Sequence, residues 1–332
     1  MVKAKKNFLF NLSDTNPYDT DRPSPIAPNI FFHETYDQLI YPLFKTSKDS
    51  VFGLKFARNC PFQPSHPDLK PSSPRDYSVP DTSNPKLAKQ IRQEVQTPTT
   101  FLIGQTYEPF APFAQTRLNA LQVGKALACQ GFKIWFKTRV FFDLEIFESL
   151  LYFEEKVQLL IPLNTLNERI SQILEPFSPS PIARIQQLET LKNLGIPFEP
   201  CIDSLIPGLN DTKANLMPLL QRLVEKNVSR ATISYLHYPQ NLAFNLSKKI
   251  SSLQPCWNSG LDRTISGFGP RRLIELNYRK SKYAEIMAWG KQVGINLLVD
   301  EISNPDMSRK PQSFCHNSTS NLKERYLSLS HR

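Results

Sequence analysis

The sequence predicts an α/β protein built around a partial (β/α)6, TIM-like barrel. Three observations predict this class: short apolar strands recur between residues 51 and 235, segments with helical spacing follow them, and the alternation holds for six units. Repeated strand–helix units imply right-handed crossovers and a parallel sheet. A closed barrel needs eight such units, so six units predict a sheet that stays open.

The strand predictions rest on short runs of β-branched, aromatic and aliphatic residues. They cover residues 51–56, 100–103, 132–136, 157–161, 198–202 and 230–235. Helical spacing of apolar residues predicts helices at 117–128, 143–151, 166–174, 181–194, 211–226 and 241–253. After the fourth of these helices, Gly195 supplies a cap and Pro197 supplies a stop.

Composition divides the chain into three parts. We predict an N-terminal extension at residues 1–50, the barrel at residues 51–254, and a C-terminal extension at residues 255–332 with one β/α-like unit and a flexible tail. Prolines crowd residues 61–85 among serines and aspartates, which excludes a regular helix or a central strand there. This Pro-rich segment is predicted to be a long functional loop or a partly ordered linker.

The charge balance predicts a polyanionic partner. The 332 residues include 40 Lys and Arg against 30 Asp and Glu, a formal net charge of +10. Such a surplus favours nucleic acid through phosphate contacts and counterion release. A host whose proteins are generally basic would account for the surplus equally well. Nucleic acid or a partner protein is the expected target.

The cysteines indicate a reducing environment. All five, at positions 60, 129, 201, 256 and 315, are widely spaced, which matches neither a disulfide framework nor a zinc pattern. No apolar run approaches the roughly 20 residues that a membrane span needs. The apolar residues 8–10 are too few for a signal peptide. We therefore expect a cytoplasmic protein with no membrane partner.

Polar residues follow each predicted strand, at the end where parallel α/β folds bind ligands. These candidate positions are residues 59–60, 105–108, 137–139, 164–165, 203–204 and 236–237. The carboxyl edge of the sheet is therefore the predicted binding end of the fold.

Three proline-containing stretches carry a family resemblance. Residues 106–112 read Thr-Tyr-Glu-Pro-Phe-Ala-Pro, residues 174–181 read Leu-Glu-Pro-Phe-Ser-Pro-Ser-Pro with Arg184 after them, and residues 206–211 read Ile-Pro-Gly-Leu-Asn-Asp. In order and spacing they resemble segments of the spore-photoproduct-lyase-like branch of the radical SAM superfamily. Residues 137–139, with Asp143, fall where that branch carries a Thr-Lys-Ser…Arg-Asp segment. The resemblance covers about residues 51–239.

The resemblance implies a barrel of radical SAM type that holds S-adenosylmethionine and a [4Fe–4S] cluster, which cleaves that cofactor reductively. The cofactor-binding positions that it implies are Gly104, Glu108, Lys137, Glu175, Arg184, Gly208 and Asn210. Structural roles would suit the same residues. Gly104 would suit close packing or a turn. Gly208 and Asn210 would suit a tight turn, and Glu175 and Arg184 could form an ion pair. Asp211, which follows them, would suit a helix N-cap.

The cluster loop departs from the family pattern. The superfamily holds three irons with Cys-x3-Cys-x2-Cys after the first strand, because iron–sulfur clusters are built on soft, anionic thiolates. Here residues 57–67 contain one cysteine, Cys60, with His66 as the one other candidate ligand. We therefore expect the usual iron–sulfur cluster to be absent, with Cys60 as the remaining candidate for a metal ligand.

Basic and aromatic residues alternate beyond the barrel. The candidates for nucleic-acid binding are the basic residues Arg271, Arg272, Arg279, Lys280 and Lys282, which are interleaved with Tyr278 and Tyr283. Such a patch can clamp phosphates and stack bases. A solvated helix face at residues 280–293 would give the same pattern. Residues 304–306 read Asn-Pro-Asp and are similar to a C-terminal stretch in some relatives.

Three functional hypotheses follow. The first is a radical-SAM-like protein that has lost its cluster and acts by binding nucleic acid, a nucleotide-like ligand or a partner protein. The second is an active radical SAM enzyme, related to DNA-repair lyases, whose cluster uses Cys60, His66 and a third ligand from elsewhere or from a partner. The third is an enzyme of unrelated chemistry, with Lys137, Arg139 and Glu108 around an anionic substrate.

Overall fold

The computed structural model describes most of the predicted barrel. The described residues are 31–33, 40–45, 50–54, 78–80, 91, 99–105, 107–111, 114–140, 144–151, 153, 156–238, 260–265 and 269–307. The predictions for the Pro-rich segment 61–85, for Cys60 and His66, and for the helix at 241–253 lie outside these residues.

Strands within the described residues form three sheets. They are β1 (Phe31–His33), β2 (Ile40–Lys45), β3 (Ser50–Leu54), β4 (Ser78–Pro80), β5 (Thr99–Ile103), β6 (Lys133–Lys137), β7 (Val157–Pro162), β8 (Phe198–Leu205), β9 (Arg230–Tyr235), β10 (His237–Tyr238), β11 (Leu261–Ile265), β12 (Gly269–Leu273) and β13 (Asn296–Val299). An eight-stranded sheet forms the partial barrel, β1 pairs with β4, and β10, β11 and β12 form a small antiparallel sheet.

The large sheet has the order β13-β9-β8-β7-β6-β5-β3-β2. All six predicted strands form, as β3, β5, β6, β7, β8 and β9. They run parallel, and the sheet is not closed, so the predicted fold class is confirmed. β13 adds a seventh parallel strand beside β9. β2 adds an antiparallel edge beside β3, where Pro42, which has no N–H to donate, is tolerated next to a bulge.

Helices cover one face of this sheet. They are α1 (Ala114–Cys129), α2 (Leu144–Leu151), α3 (Glu168–Leu174), α4 (Pro181–Asn193), α5 (Lys213–Glu225) and α6 (Leu276–Val293). The expectation that Asp211 caps α5 is wrong, because Thr212 is the N-cap and accepts from the Asn215 N–H at 3.4 Å. None of the described helices is long and apolar enough to cross a membrane.

The two faces of the sheet have different environments. On the helical face, glycines let α1 and α6 approach the strands: a Cβ at Gly124 would lie 2.7 Å from the Phe136 ring, and one at Gly290 would lie 2.8 Å from Leu297. The other, concave face carries a separate small cluster. It consists of Val51, Leu102 and Trp135, with Leu160 and Ile302 packed against it. The chain after β13 therefore reaches across the concave face.

Gly104 permits the close approach of β5 to β6. Its φ is +102°, and a Cβ there would lie 2.1 Å from the carbonyl oxygen of Lys137 and 2.8 Å from the Pro109 ring. Residues with a side chain rarely adopt this φ, and the neighbouring backbone leaves no room for a Cβ atom. The position thus has a packing role at the carboxyl edge of the sheet.

Gly104→Ala is expected to destabilise the protein far more than Gly131→Ala. Both glycines have a positive φ, +102° and +94°, but nothing lies within 4 Å of the Cβ position at Gly131. Backbone strain of about 1–2 kcal/mol is common to both substitutions, and the clash adds about 1–3 kcal/mol at Gly104 alone. Urea unfolding measures the two losses, and equal losses would contradict the close approach.

Candidate functional site

The carboxyl ends of the parallel strands bring several charged side chains together. Glu108 follows β5, Lys137 and Arg139 lie at the end of β6, and Asp203 lies near the end of β8. Glu175 joins them as the residue that ends α3. Ion pairs and hydrogen bonds connect all five, as the strand-end rule leads one to expect for an edge of a parallel sheet.

Glu108 is a buried acceptor that joins β5 to the end of β6. One carboxylate oxygen accepts from the Phe110 N–H at 3.2 Å and from the Thr138 hydroxyl, and the other accepts from the Arg139 N–H at 2.8 Å. Burial raises the pKa of Glu108 to about 7, and the hydrogen bonds from Arg139 and Thr138 offset only part of that effect. The carboxyl group therefore titrates near neutral pH.

A buried ion-pair chain runs from β6 to α4. The Arg139 Nε donates to one oxygen of Glu175 at 2.8 Å, and the Arg184 Nη2 lies 2.7 Å from the other oxygen. Arg184 also donates to the Pro162 carbonyl at 2.7 Å, at the end of β7. Burial lowers the pKa of Arg139, but the Glu175 and Asp203 carboxylates more than offset this and raise it. The expected pairing of Glu175 with Arg184 is therefore present, and Arg139 completes it.

Lys137 and Asp203 form a second ion pair on the concave face, with their side chains slightly accessible to solvent. Burial lowers the pKa of Lys137, but the Asp203 carboxylate outweighs it, so the net pKa is raised. Burial likewise raises the pKa of Asp203, while Lys137 and Arg139 bring it below its ordinary value. Both groups are thus charged at neutral pH.

The turn after β8 is held by its own side chains. The Asn210 Oδ1 accepts from the Ile206 N–H at 2.6 Å, and its Nδ2 donates to the carbonyls of Asn164 and Ser204 at 3.3 and 3.2 Å. Gly208 has a φ of +72°, and its N–H donates to Asp211 at 2.7 Å. These contacts match the tight-turn interpretation of Gly208 and Asn210.

The basic residues beyond the barrel separate into different environments. Arg279 differs from the expectation, because its guanidinium is buried and pairs with Asp306 at 2.5 Å and with Asn304 at 2.8 Å. Lys282 pairs with Glu285 at 2.7 Å, and Lys280 is exposed. The expected stacking residues also lie inside: Tyr283 is buried, and Tyr278 donates its hydroxyl to Asp211 at 2.7 Å.

Arg271 and Arg272 lie instead on the small antiparallel sheet. β10 begins two residues after β9 ends, so this sheet stands at the carboxyl edge of the barrel. Arg271 is directly opposite Arg263 on β11, and Arg272 is opposite Asp262, with which it pairs at 3.3 Å. We call Arg263, Arg271 and Arg272 the basic ribbon.

The donor set for an iron–sulfur cluster is absent from the described residues. No group of three or more His, Cys, Asp or Glu side chains among them could hold a metal ion. Their free cysteines are Cys129, which is exposed, and Cys201, which is buried. Burial raises the pKa of the Cys201 thiol to about 12, so it is not a thiolate at neutral pH. Cys60 and His66 lie outside the described residues.

Several of the positions that the resemblance assigns to S-adenosylmethionine make contacts within the protein. Glu108 and Asn210 engage their side-chain polar atoms with protein partners. The Cβ position of Gly104 is filled by neighbouring backbone. Lys137, Asp203 and Asn164, the last of which follows β7, are polar groups at the carboxyl end of the concave face.

Sequence reasoning missed the residues that anchor the C-terminal unit. Asp211 accepts from the hydroxyls of Tyr235 and Tyr278, both at 2.7 Å, which connects β9 and α6. Asn304 and Asp306 hold Arg279. The Asn-Pro-Asp stretch was the sequence feature that could have indicated this anchor, but its arginine partner is distant along the chain.

Comparisons with known proteins support the same fold. A spore photoproduct lyase complexed with dinucleoside spore photoproduct matches with a TM-score of 0.62 and 11% identity over 82% of each chain. A mutant of that enzyme with bound AdoMet and dinucleoside spore photoproduct matches with a TM-score of 0.60 and 10% identity over 81% of each chain. The chain therefore shares the fold of these spore photoproduct lyases. At this level of identity the likeness concerns the fold alone.

Sequence comparison adds a distant viral relative. The uncharacterized protein ORF301 of Acidianus two-tailed virus is 26% identical over 140 residues, which is 41% of this chain and 46% of that protein. The match thus spans less than half the length of this curated relative. No family model matches the chain.

Glu108 is expected to make stability fall as the pH rises. Its pKa is about 7 in the folded protein and 4.5 in the unfolded chain, so the folded state binds this proton more tightly. The stabilisation from the Glu108 proton is fully present below pH 4.5. It is lost as the pH rises through 7, which lowers the free energy of unfolding by about 3 kcal/mol. Urea unfolding across this window should show a flatter profile for Glu108→Gln. Glu189→Gln, at an exposed ion pair, is the control, and an unchanged slope in Glu108→Gln would contradict the assignment.

Proposed function

We propose that this chain binds nucleic acid on a radical-SAM-like barrel and has lost the cluster-dependent radical chemistry of that fold. The observation that carries the proposal is the basic ribbon at the carboxyl edge of the sheet. The absence of a three-cysteine motif favours binding over radical chemistry. A partner protein is the alternative target for the same surface.

The cysteine content supports the loss of the cluster. Between the end of β3 and the start of β5, where the superfamily carries its three cysteines, the sequence contains Cys60 alone. A site-differentiated [4Fe–4S] cluster needs three protein thiolates, since softer anionic ligands are what iron–sulfur chemistry requires. One thiolate and one imidazole do not supply that set.

The ion pairs at the carboxyl edge also favour binding over catalysis. Arg139, Glu175 and Arg184 neutralise one another in a buried chain, and Lys137 pairs with Asp203. Each pair holds its partners in one position. Such groups serve as a rigid scaffold for a binding surface. They do not offer an unpaired acid, base or nucleophile.

The basic ribbon has the geometry of a phosphate clamp. Arg263 and Arg271 are direct cross-strand neighbours, so their side chains extend from the same face. Like charges in this position destabilise a sheet, and an anion between them would offset that repulsion. A phosphodiester is such an anion, and arginine can bind it with two parallel hydrogen bonds. The net charge of +10 adds long-range attraction for the same ligand.

The solved relatives make nucleic acid the favoured partner. The spore photoproduct lyase structure contains a dinucleoside spore photoproduct, a ligand of two joined nucleosides. The fold can therefore accommodate a nucleic-acid fragment, although its activity does not transfer at 11% identity.

Iron reconstitution tests the loss of the cluster. After anaerobic incubation with iron and sulfide, we expect far less than one cluster per chain and no broad absorption band at about 400 nm. Near-stoichiometric iron that disappears in Cys60→Ala would overturn the proposal in favour of an active radical enzyme. Cys129→Ala, which removes an exposed cysteine on α1, controls for iron bound non-specifically.

A salt-dependent titration tests the nucleic-acid interface. For a labelled single-stranded oligonucleotide, replacing both Arg263 and Arg271 with Gln should weaken binding about tenfold or more, because two charge-assisted contacts are lost. The slope of log K against log salt should fall by about 1.4. The matched control replaces Arg222 and Lys226 on the helical side with Gln, which removes the same charge. Equal affinities and slopes for the two double variants would refute the ribbon as the interface.

A further inference from the structure

Two buried oxygen atoms at the carboxyl edge accept no hydrogen bond from the described residues. They are the Oδ1 atoms of Asn164 and Asp203, in residues that are 2% and 7% exposed. A buried acceptor without a donor costs free energy, and native proteins contain few of them. Two such acceptors on neighbouring strand ends would suit a ligand that brings donors.

The two acceptors belong to neighbouring strand ends. Pro162 of β7 pairs with Cys201 of β8, and the Leu163 N–H continues the ladder to the Cys201 carbonyl at 2.8 Å. Asn164 and Asp203 each lie two residues further on, so both side chains extend from the same face. The Asn210 amide, which donates to the carbonyls of Asn164 and Ser204, holds these strand ends together.

This shared face is the concave face, and it is open to solvent elsewhere. Leu160 and Thr232, at alternate positions of β7 and β9, are half-buried, and Leu298 of β13 is 39% exposed. Ile161 and Ile233, which alternate with Leu160 and Thr232, belong to the helical face, whereas Glu199 and Cys201 of β8 are buried on the concave face. A ligand that enters from the concave side would meet an apolar floor, because Ile302 and Leu160 pack on the Trp135 cluster.

The charges around the acceptors leave their hydrogen-bonding capacity available. Lys137 holds the Oδ2 of Asp203, and the Arg139 Nη2 is 3.6 Å from the Oδ1, too far for a hydrogen bond. The site thus has two oxygens on neighbouring strand ends, one from a carboxylate and one from an amide, with a lysine beside the carboxylate. Its complement is a planar group with two adjacent N–H donors and a nearby acceptor.

Resting on the proposed nucleic-acid binding, we propose that Asn164 and Asp203 recognise the Watson–Crick edge of an unstacked guanine. The N1–H would donate to the Asp203 Oδ1 and the N2 amino group to the Asn164 Oδ1, with Lys137 towards the O6 acceptor. Adenine presents a ring nitrogen acceptor beside its amino group on this edge. That acceptor would face a protein oxygen, which disfavours adenine.

The test compares short single-stranded oligonucleotides that differ at one base: guanine, hypoxanthine or adenine. Hypoxanthine keeps the N1–H and lacks the N2 amino group. We expect the guanine oligonucleotide to bind about tenfold more tightly than either of the others. Asn164→Ala should reduce the guanine-to-hypoxanthine ratio to about one while binding persists, since Asp203 still accepts from N1–H.

Thr116→Ala is the matched control. It also removes a buried oxygen that has no partner among the described residues, but on α1, away from the strand ends. Thermal unfolding establishes that both variants fold, and the control should keep the guanine preference.

The outcomes separate this inference from the proposed function. Salt-dependent binding of all three oligonucleotides with equal affinity would overturn guanine recognition and leave the nucleic-acid interface standing. Failure of every oligonucleotide to bind would overturn both. Binding of S-adenosylmethionine that Asn164→Ala weakens, without any base preference, would assign the acceptor pair to that cofactor and overturn the inference.

Discussion

The guanidinium group of Arg139 is buried between the carboxylates of Glu175 and Asp203. A buried charge is tolerated only when its partners are held in place, and removal of one partner typically costs about 3–5 kcal/mol. Glu175 in turn faces Arg184, whose other contact is the end of β7. The positions of three neighbouring strand ends and two helices at the carboxyl edge depend on this one chain of charges.

The same constraint shapes what the edge can do. The paired groups hold one another in place, and the recognition elements that we propose lie among them and beside them. One part is the basic ribbon, where Arg263 and Arg271 face each other. The other is the acceptor pair of Asn164 and Asp203 on the concave face. In our proposals, the first suits a phosphate and the second suits the edge of a base.

Local periodicity explains why most of the fold was predictable. Strands such as residues 157–161 and helices such as residues 181–194 are marked by patterns that act over a few residues, and both form as expected. The sequence analysis did not predict β2. This strand contains Pro42, and proline, which cannot donate a backbone hydrogen bond, argues against a central strand. Arg279 was assigned to a surface, yet it is buried, because its partners Asn304 and Asp306 lie 25 and 27 residues away.

By itself the sequence determined the α/β class, the six parallel strands and the single cysteine between the first two of them. It also predicts that ligands bind at the carboxyl edge. These properties follow from local patterns and from which residues exist at all. Tertiary structure alone decided which charges pair, that Asn164 and Asp203 follow neighbouring strands, and that Arg271 is opposite Arg263. The reason is physical: strand register and burial set the partners of a polar group, and both arise only when distant segments pack.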